Sequence, residues 1–121
     1  PGQLSQWPVQ IKLVPVNAPY YDGADLLIAQ TAPLTHTETS IRILSRNHIT
    51  LIGFQNWTKG DYTEKLTQIL AQNDIKSLTI ARMQVPCCGG LERAAVQALK
   101  NSGKFIPWQV RVITPDGRIL D

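Results

Sequence analysis

Between Pro8 and Pro15, apolar Val9, Ile11 and Leu13 alternate with polar Gln10 and Lys12. That period of two predicts a half-buried strand, and the bracketing prolines suit an edge position. "APYYDGAD" follows as a turn pivoting on Asp22-Gly23, and "DLLIA" (25–29) is a short continuous apolar run, the mark of a strand covered on both faces. The next stretch, "QTAPLTHTETSIRILSRN", carries four threonines before Ile41 and Leu44, which with Leu34 fit one helical face. It predicts a loop followed by a short helix. "HITLIGF" (48–54) is a second apolar strand, and the polar "QNWTKG" after it is a turn.

Two clearer helices follow. In "DYTEKLTQILAQND", Asp61 and Glu64 have capping-box spacing, and Tyr62, Leu66, Ile69 and Leu70 form one apolar stripe. In "GGLERAAVQALKNSG", Leu91, Ala95, Ala98 and Leu99 share a face and Gly103 stands where a left-handed C-terminal residue belongs. "SLTIARMQV" (77–85) between them reads as a strand, and "PWQVRVITPDGRIL" as a strand, a Pro-Asp-Gly turn and a returning strand. Trp7 and Trp108 fall in strand patterns and read as core or edge packing.

Strands alternating with helices imply βαβ crossovers and a parallel sheet covered on its faces. The expected architecture is a three-layer α/β/α sandwich, mainly parallel, with the first and last strands as antiparallel edges. It forms a single domain over residues 1–121.

Composition narrows the function. The chain has 43% hydrophobic and 17% charged residues, as in ordinary globular proteins, and no apolar run long enough to span a bilayer. With no signal-like segment either, the expected location is cytoplasmic. The net charge is +3, with basic residues scattered singly rather than gathered into a stripe, so neither nucleic acid nor a membrane is an expected partner. The chain starts at "PGQLSQWP" without Met, which fits a domain of a longer protein.

In a parallel α/β sheet, functional residues gather beyond the carboxyl ends of the strands. Three segments belong there: "QTAPLTHTET", "FQNWTKG" and "PCCGG". The last is the richest in chemistry. Cys87 and Cys88, the only cysteines, stand at the mouth of a helix, where the dipole favours a thiolate. Gly89 and Gly90 allow close backbone approach. Two thiols form half of a soft-metal site, and burial as small filler residues is the competing reading. A disulfide between neighbours would close a strained ring and cross-link nothing. His36 is a candidate additional ligand, while Phe54, Trp57 and Arg82 are candidate binding-surface residues. His48 opens a strand and belongs at the opposite end of the sheet, and Glu92 and Arg93 read as exposed. The spacing of a Walker loop or dinucleotide fingerprint is absent, as are a Ser-His-Asp pattern and paired carboxylates near the loops. No catalytic residue is assigned.

The segments "LSQWPVQIKLVPVNAPYYDGADLLIA", "ITLIG", "DYTEKLTQIL" and "NDIKSLTIARMQVPCCGGLERAAVQALKNSGKFIPWQV" resemble the C-terminal region of ferredoxin-type iron–sulfur proteins of anaerobic bacteria and archaea. In that family pattern cysteines stand at the positions of Ala32 and Phe54, so this chain keeps only the VPCCGG pair. The resemblance implies an accessory domain of electron-transfer proteins, with a residual metal or iron–sulfur (4Fe-4S) site at Cys87 and Cys88. Its expected partner is a ferredoxin module or another redox protein. The departures concentrate in the first two loops, which fits natural divergence and redesign alike. The alternative is a non-redox binding module, in which residues 31–40 and 54–60 contact a small molecule or a protein. A thiol-dependent enzyme using Cys88 is a third reading, without a visible base.

Overall fold

The computed structural model describes residues 8–30, 38–53, 59–84 and 89–120. Six strands form one sheet in the order β1-β3-β2-β4-β5-β6. They are β1 (Val9–Gln10), β2 (Asp25–Gln30), β3 (Ile49–Gly53), β4 (Ser77–Met83), β5 (Trp108–Ile113) and β6 (Ile119–Leu120). Helix α1 (Glu38–Leu44) joins β2 to β3, α2 (Lys59–Gln72) joins β3 to β4, and α3 (Gly89–Ser102) joins β4 to β5.

The expected α/β/α sandwich is what these elements build. Alternation along each strand sends one set of side chains to each face. Leu26, Ile28, Leu51, Leu78 and Ile80 pack with the stripes of α2 (Tyr62, Leu66, Ile69, Leu70) and α3 (Leu91, Ala95, Ala98, Leu99). Leu27, Ala29, Ile52, Ala81 and Met83 pack with Ile41 of α1 on the other face. Residues buried on both faces explain why the strands read as unbroken apolar runs. Among the described residues, no helix is long and apolar enough to cross a membrane.

Four expectations need correction. The first strand is an edge, but it runs parallel to β3, with Val9 opposite Leu51 and Gln10 opposite Ile52. Residues 11–24 must therefore carry the chain back to the start of β2, and they do so as a crossover on the α2–α3 face. Its inward residues Ile11, Val14, Ala18 and Tyr21 join the larger core. Second, β1 stops at Gln10, where the Leu13 N–H donates to the Gln10 carbonyl at 3.0 Å and Leu13 turns out to solvent. The Ile11–Leu13 alternation belongs to a turn. Third, α2 begins at Lys59, which puts Asp61 inside its first turn instead of at the N-cap. Fourth, Ser40, inside the expected binding loop 31–40, is buried in α1 and donates to the Gly117 carbonyl of the β5–β6 turn. That part of the segment is framework.

The closing hairpin is antiparallel, with Val112 opposite Leu120 and Ile113 opposite Ile119. The Gly117 N–H donates to the Thr114 carbonyl at 2.9 Å, and Gly117 has φ 93°, which glycine adopts without strain. Because β6 reaches only the far end of β5, Trp108 at its start remains half exposed on an open edge. Gly103 ends α3 with φ 73°, as its position in the sequence requires.

Candidate functional site

β2, β3 and β4 run parallel and finish side by side, Gln30 opposite Gly53 and Ala29 opposite Ala81. The segments that follow them in sequence therefore leave from one edge of the sheet. The outgoing connections diverge there. β2 leads to α1 on one face and then to β3. Its neighbour β4 leads to α3 on the other face and then to β5. This reversal between β2 and β4 is a topological switch point, where a crevice opens beyond the strand ends of α/β sheets.

Cys87, Cys88, His36, Phe54 and Trp57 lie outside the described residues, as does Ala32. Cys87 and Cys88 are the two positions before α3, which begins at Gly89. Gly90 takes helical backbone within α3, and a Cβ there would meet nothing within 4 Å. Among the described residues, no neighbour demands a glycine at Gly90.

The described part of the edge holds a polar row. Leu26 and Ile28 face α2 and α3, so alternation turns Gln30 to that side as well. One rung beyond the Ala29–Ala81 pair, Arg82 comes level with Gln30 on the same face, and α3 supplies Glu92 against it. Glu92 is thus half-buried rather than exposed. Its Oε1 lies 3.4 Å from Arg82 Nη1 but makes no aligned hydrogen bond, so the pair is a charge contact only. Three side-chain atoms of the row are buried without a hydrogen-bond partner: Gln30 Oε1, Arg82 Nε and Glu92 Oε1. Among the described residues only Thr50 Oγ1, near the start of β3, shares that condition. Native structures keep such atoms rare, and clusters of them call for an explanation.

Arg82 is among the candidate binding-surface residues named from the sequence; Gln30 is not, and Glu92 was read there as exposed. Gln30 looked like the first residue of a polar loop, whereas it is the last rung of β2 and only 8% exposed. The available signal was its parity with Leu26 and Ile28.

The opposite edge offers a contrast. As expected, His48 is there, in a hollow of about 480 Å³ lined also by Tyr20, Asp25, Ser45 and Asn47. Three hydrogen bonds engage polar groups at or beside it. The His48 Nδ1–H donates to the Arg46 carbonyl at 2.7 Å, Ser45 Oγ to the Arg42 carbonyl at 2.7 Å, and Ser77 Oγ to Asp25 Oδ1 at 2.5 Å. Among the described residues, three of the four buried side-chain atoms without a partner are at the carboxyl edge.

A relative from Archaeoglobus fulgidus, named only as an uncharacterized protein, is 27% identical over 118 residues, covering 97% of this chain and 83% of its own length. No solved structure matches the chain. The kinship with ferredoxin-type iron–sulfur proteins suggested by the four segments quoted above is overturned: the family profile that matches is a Rossmann-like domain, and the relative's name carries no iron–sulfur or electron-transport function. The metal-binding expectation falls with it, and no group of three or more His, Cys, Asp or Glu residues able to hold a metal occurs among the described residues. The Rossmann-like profile covers residues 18–121, from the crossover before β2 through β6, and the chain belongs to the Rossmann-like domain family.

Proposed function

We propose that the protein is a binding module that takes a small polar molecule in the crevice beyond the carboxyl ends of β2 and β4. The observation that carries this reading is that α1 and α3, which follow the neighbouring strands β2 and β4, pack on opposite faces of the sheet, the arrangement beside which ligands bind in open α/β sheets. The polar row at the same place supports it, because the interior of a preformed site holds a few unsatisfied groups against an apolar frame. No described residue combines with another as nucleophile and base, so the reading is binding rather than catalysis.

The test is a screen of small polar fragments against the 15N-labelled chain. Shifted amides are expected to centre on Gln30, Gly53, Arg82 and Gly90. Hits centred on Ser45, Asn47 and His48, or no saturable response from the first group, would overturn the assignment.

A further inference from the structure

The next step rests on the reading above and names the class of ligand. The unsatisfied atoms of the row are one donor, the Arg82 Nε–H, and two acceptors, the Gln30 amide oxygen and a Glu92 carboxylate oxygen. Gln30 is more than nine-tenths buried, and that oxygen has no hydrogen-bond partner. The complement of the set is therefore one acceptor, best anionic, beside a group with at least two donors, best cationic.

A simple anion would satisfy Arg82 but bring negative charge against Glu92 and leave the Gln30 oxygen bare. A simple amine would satisfy both oxygens but stand against the guanidinium. A zwitterion meets every requirement without adding net charge to a part-buried place. The surroundings agree with that polarity. α3 starts at Gly89, its first-turn N–H groups favour an anion, and no described neighbour crowds Gly90. The Arg82 and Glu92 side chains are 39% and 28% exposed and lack an aligned hydrogen bond to each other, so the row borders solvent and no hydrogen bond between the pair has to be broken.

We propose that Gln30, Arg82 and Glu92 bind the head group of a free α-amino acid. Arg82 receives the carboxylate, and Gln30 Oε1 and Glu92 Oε1 accept hydrogen bonds from the ammonium group. No bond is made or broken.

The experiment titrates the 15N-labelled full chain with L-alanine, with propionate (the same molecule without its ammonium) and with ethylamine (without its carboxylate). L-alanine is expected to shift the Gln30, Gly53 and Arg82 amides saturably, with each half-molecule at least about tenfold weaker, the loss that follows from one unsatisfied charged hydrogen bond. R82Q and Q30L are each expected to weaken L-alanine by about tenfold or more while keeping a dispersed amide spectrum. Propionate binding as tightly as L-alanine would overturn the proposal, as would L-alanine shifts centred elsewhere. Should a variant fail to fold, the comparison of the three compounds on the parent chain decides alone. The two readings separate cleanly. Silence toward L-alanine, with other fragments still shifting the same amides, removes the amino-acid class and leaves the binding edge standing. Silence of those amides toward every compound removes both.

Discussion

Gly53 closes β3 directly against the phenol of Tyr62: a Cβ at this position would stand 3.1 Å from the Tyr62 hydroxyl and 3.2 Å from Leu91 Cδ2. Tyr62 and Leu91 come from the first turns of α2 and α3, so this glycine sets how closely both helices approach the carboxyl edge. G53A is expected to destabilise the fold by about 1 kcal/mol. Overpacking of about 1–3 kcal/mol outweighs the gain of about 0.4–1 kcal/mol from a stiffer unfolded chain. Urea denaturation of G53A, L91A and the double variant checks it. The double variant should be more stable than the sum of the single losses implies, since truncating Leu91 makes room for the methyl group. A G53A chain as stable as its parent would refute the close approach.

The same contact shows what the sequence could and could not convey. The stripes of α2 and α3, the strand runs and the turn glycines Gly23 and Gly103 are local patterns, and each appears where its period or its φ requires. Non-local facts were not legible. Nothing in "WPVQIKLVPV" tells that residues 11–24 recross the sheet, because Ile11 and Leu13 mimic a strand until Ile11 is seen buried and Leu13 exposed. Glu92 was misread because its contact, Arg82, comes from another element, and Gln30 because its burial at the end of β2 is not written in the polar residues that follow it. The resemblance to ferredoxin-type proteins misled in a different way: its segments span the strands and helices that any such α/β framework needs, and the match over residues 18–121 is to a Rossmann-like domain.

Asn73, following α2, is 2% exposed and ties the crossover to that helix. Its Nδ2 donates to the Val16 carbonyl at 2.7 Å and the Ile69 carbonyl at 2.8 Å, and its Oδ1 accepts the Ala18 N–H at 3.3 Å. N73A strands these backbone groups in the interior and is expected to cost about 2–4 kcal/mol, since each buried unpaired group costs about 1–3 kcal/mol and some will recover water. N73D should be no better, because a carboxylate cannot donate to two carbonyls. Thermal or urea unfolding measures both. A loss under 1 kcal/mol for N73A would show that the crossover holds without this residue.

Tyr21 gives the fold an alkaline limit. Burial pushes its phenol well above its ordinary value of 10.0, with Tyr20 adding to the shift. Its hydroxyl donates to the Pro15 carbonyl at 3.0 Å. The folded state therefore keeps this proton where the unfolded chain has released it. Stability is flat below about pH 10 with respect to this group and falls as pH rises beyond it. Y21F should lose about 0.5–1.5 kcal/mol near neutrality from the missing hydrogen bond and then show a shallower decline above pH 10. Urea midpoints collected from pH 8 to 11 on both chains check this. Parallel declines would assign the alkaline loss to other groups.

Gln30 separates a binding residue from a structural one without any ligand. A buried polar group kept for stability makes its hydrogen bonds, as Asn73 does, and replacing it is costly. The Gln30 oxygen makes none, so its burial is a standing penalty, and a side chain of the same length with only a weakly accepting thioether should relieve it. Q30M is therefore expected to raise stability by about 1 kcal/mol, the direction found where function holds a group in an unfavourable setting. It would also abolish the fragment-induced shifts at Gly53 and Arg82 if the carboxyl edge is the binding place. Equilibrium denaturation gives the first result and the amide spectrum the second. A Q30M chain destabilised to the degree expected of N73A would mean that the Gln30 amide is engaged in holding β2 to its surroundings. The polar row would then be framework rather than a site.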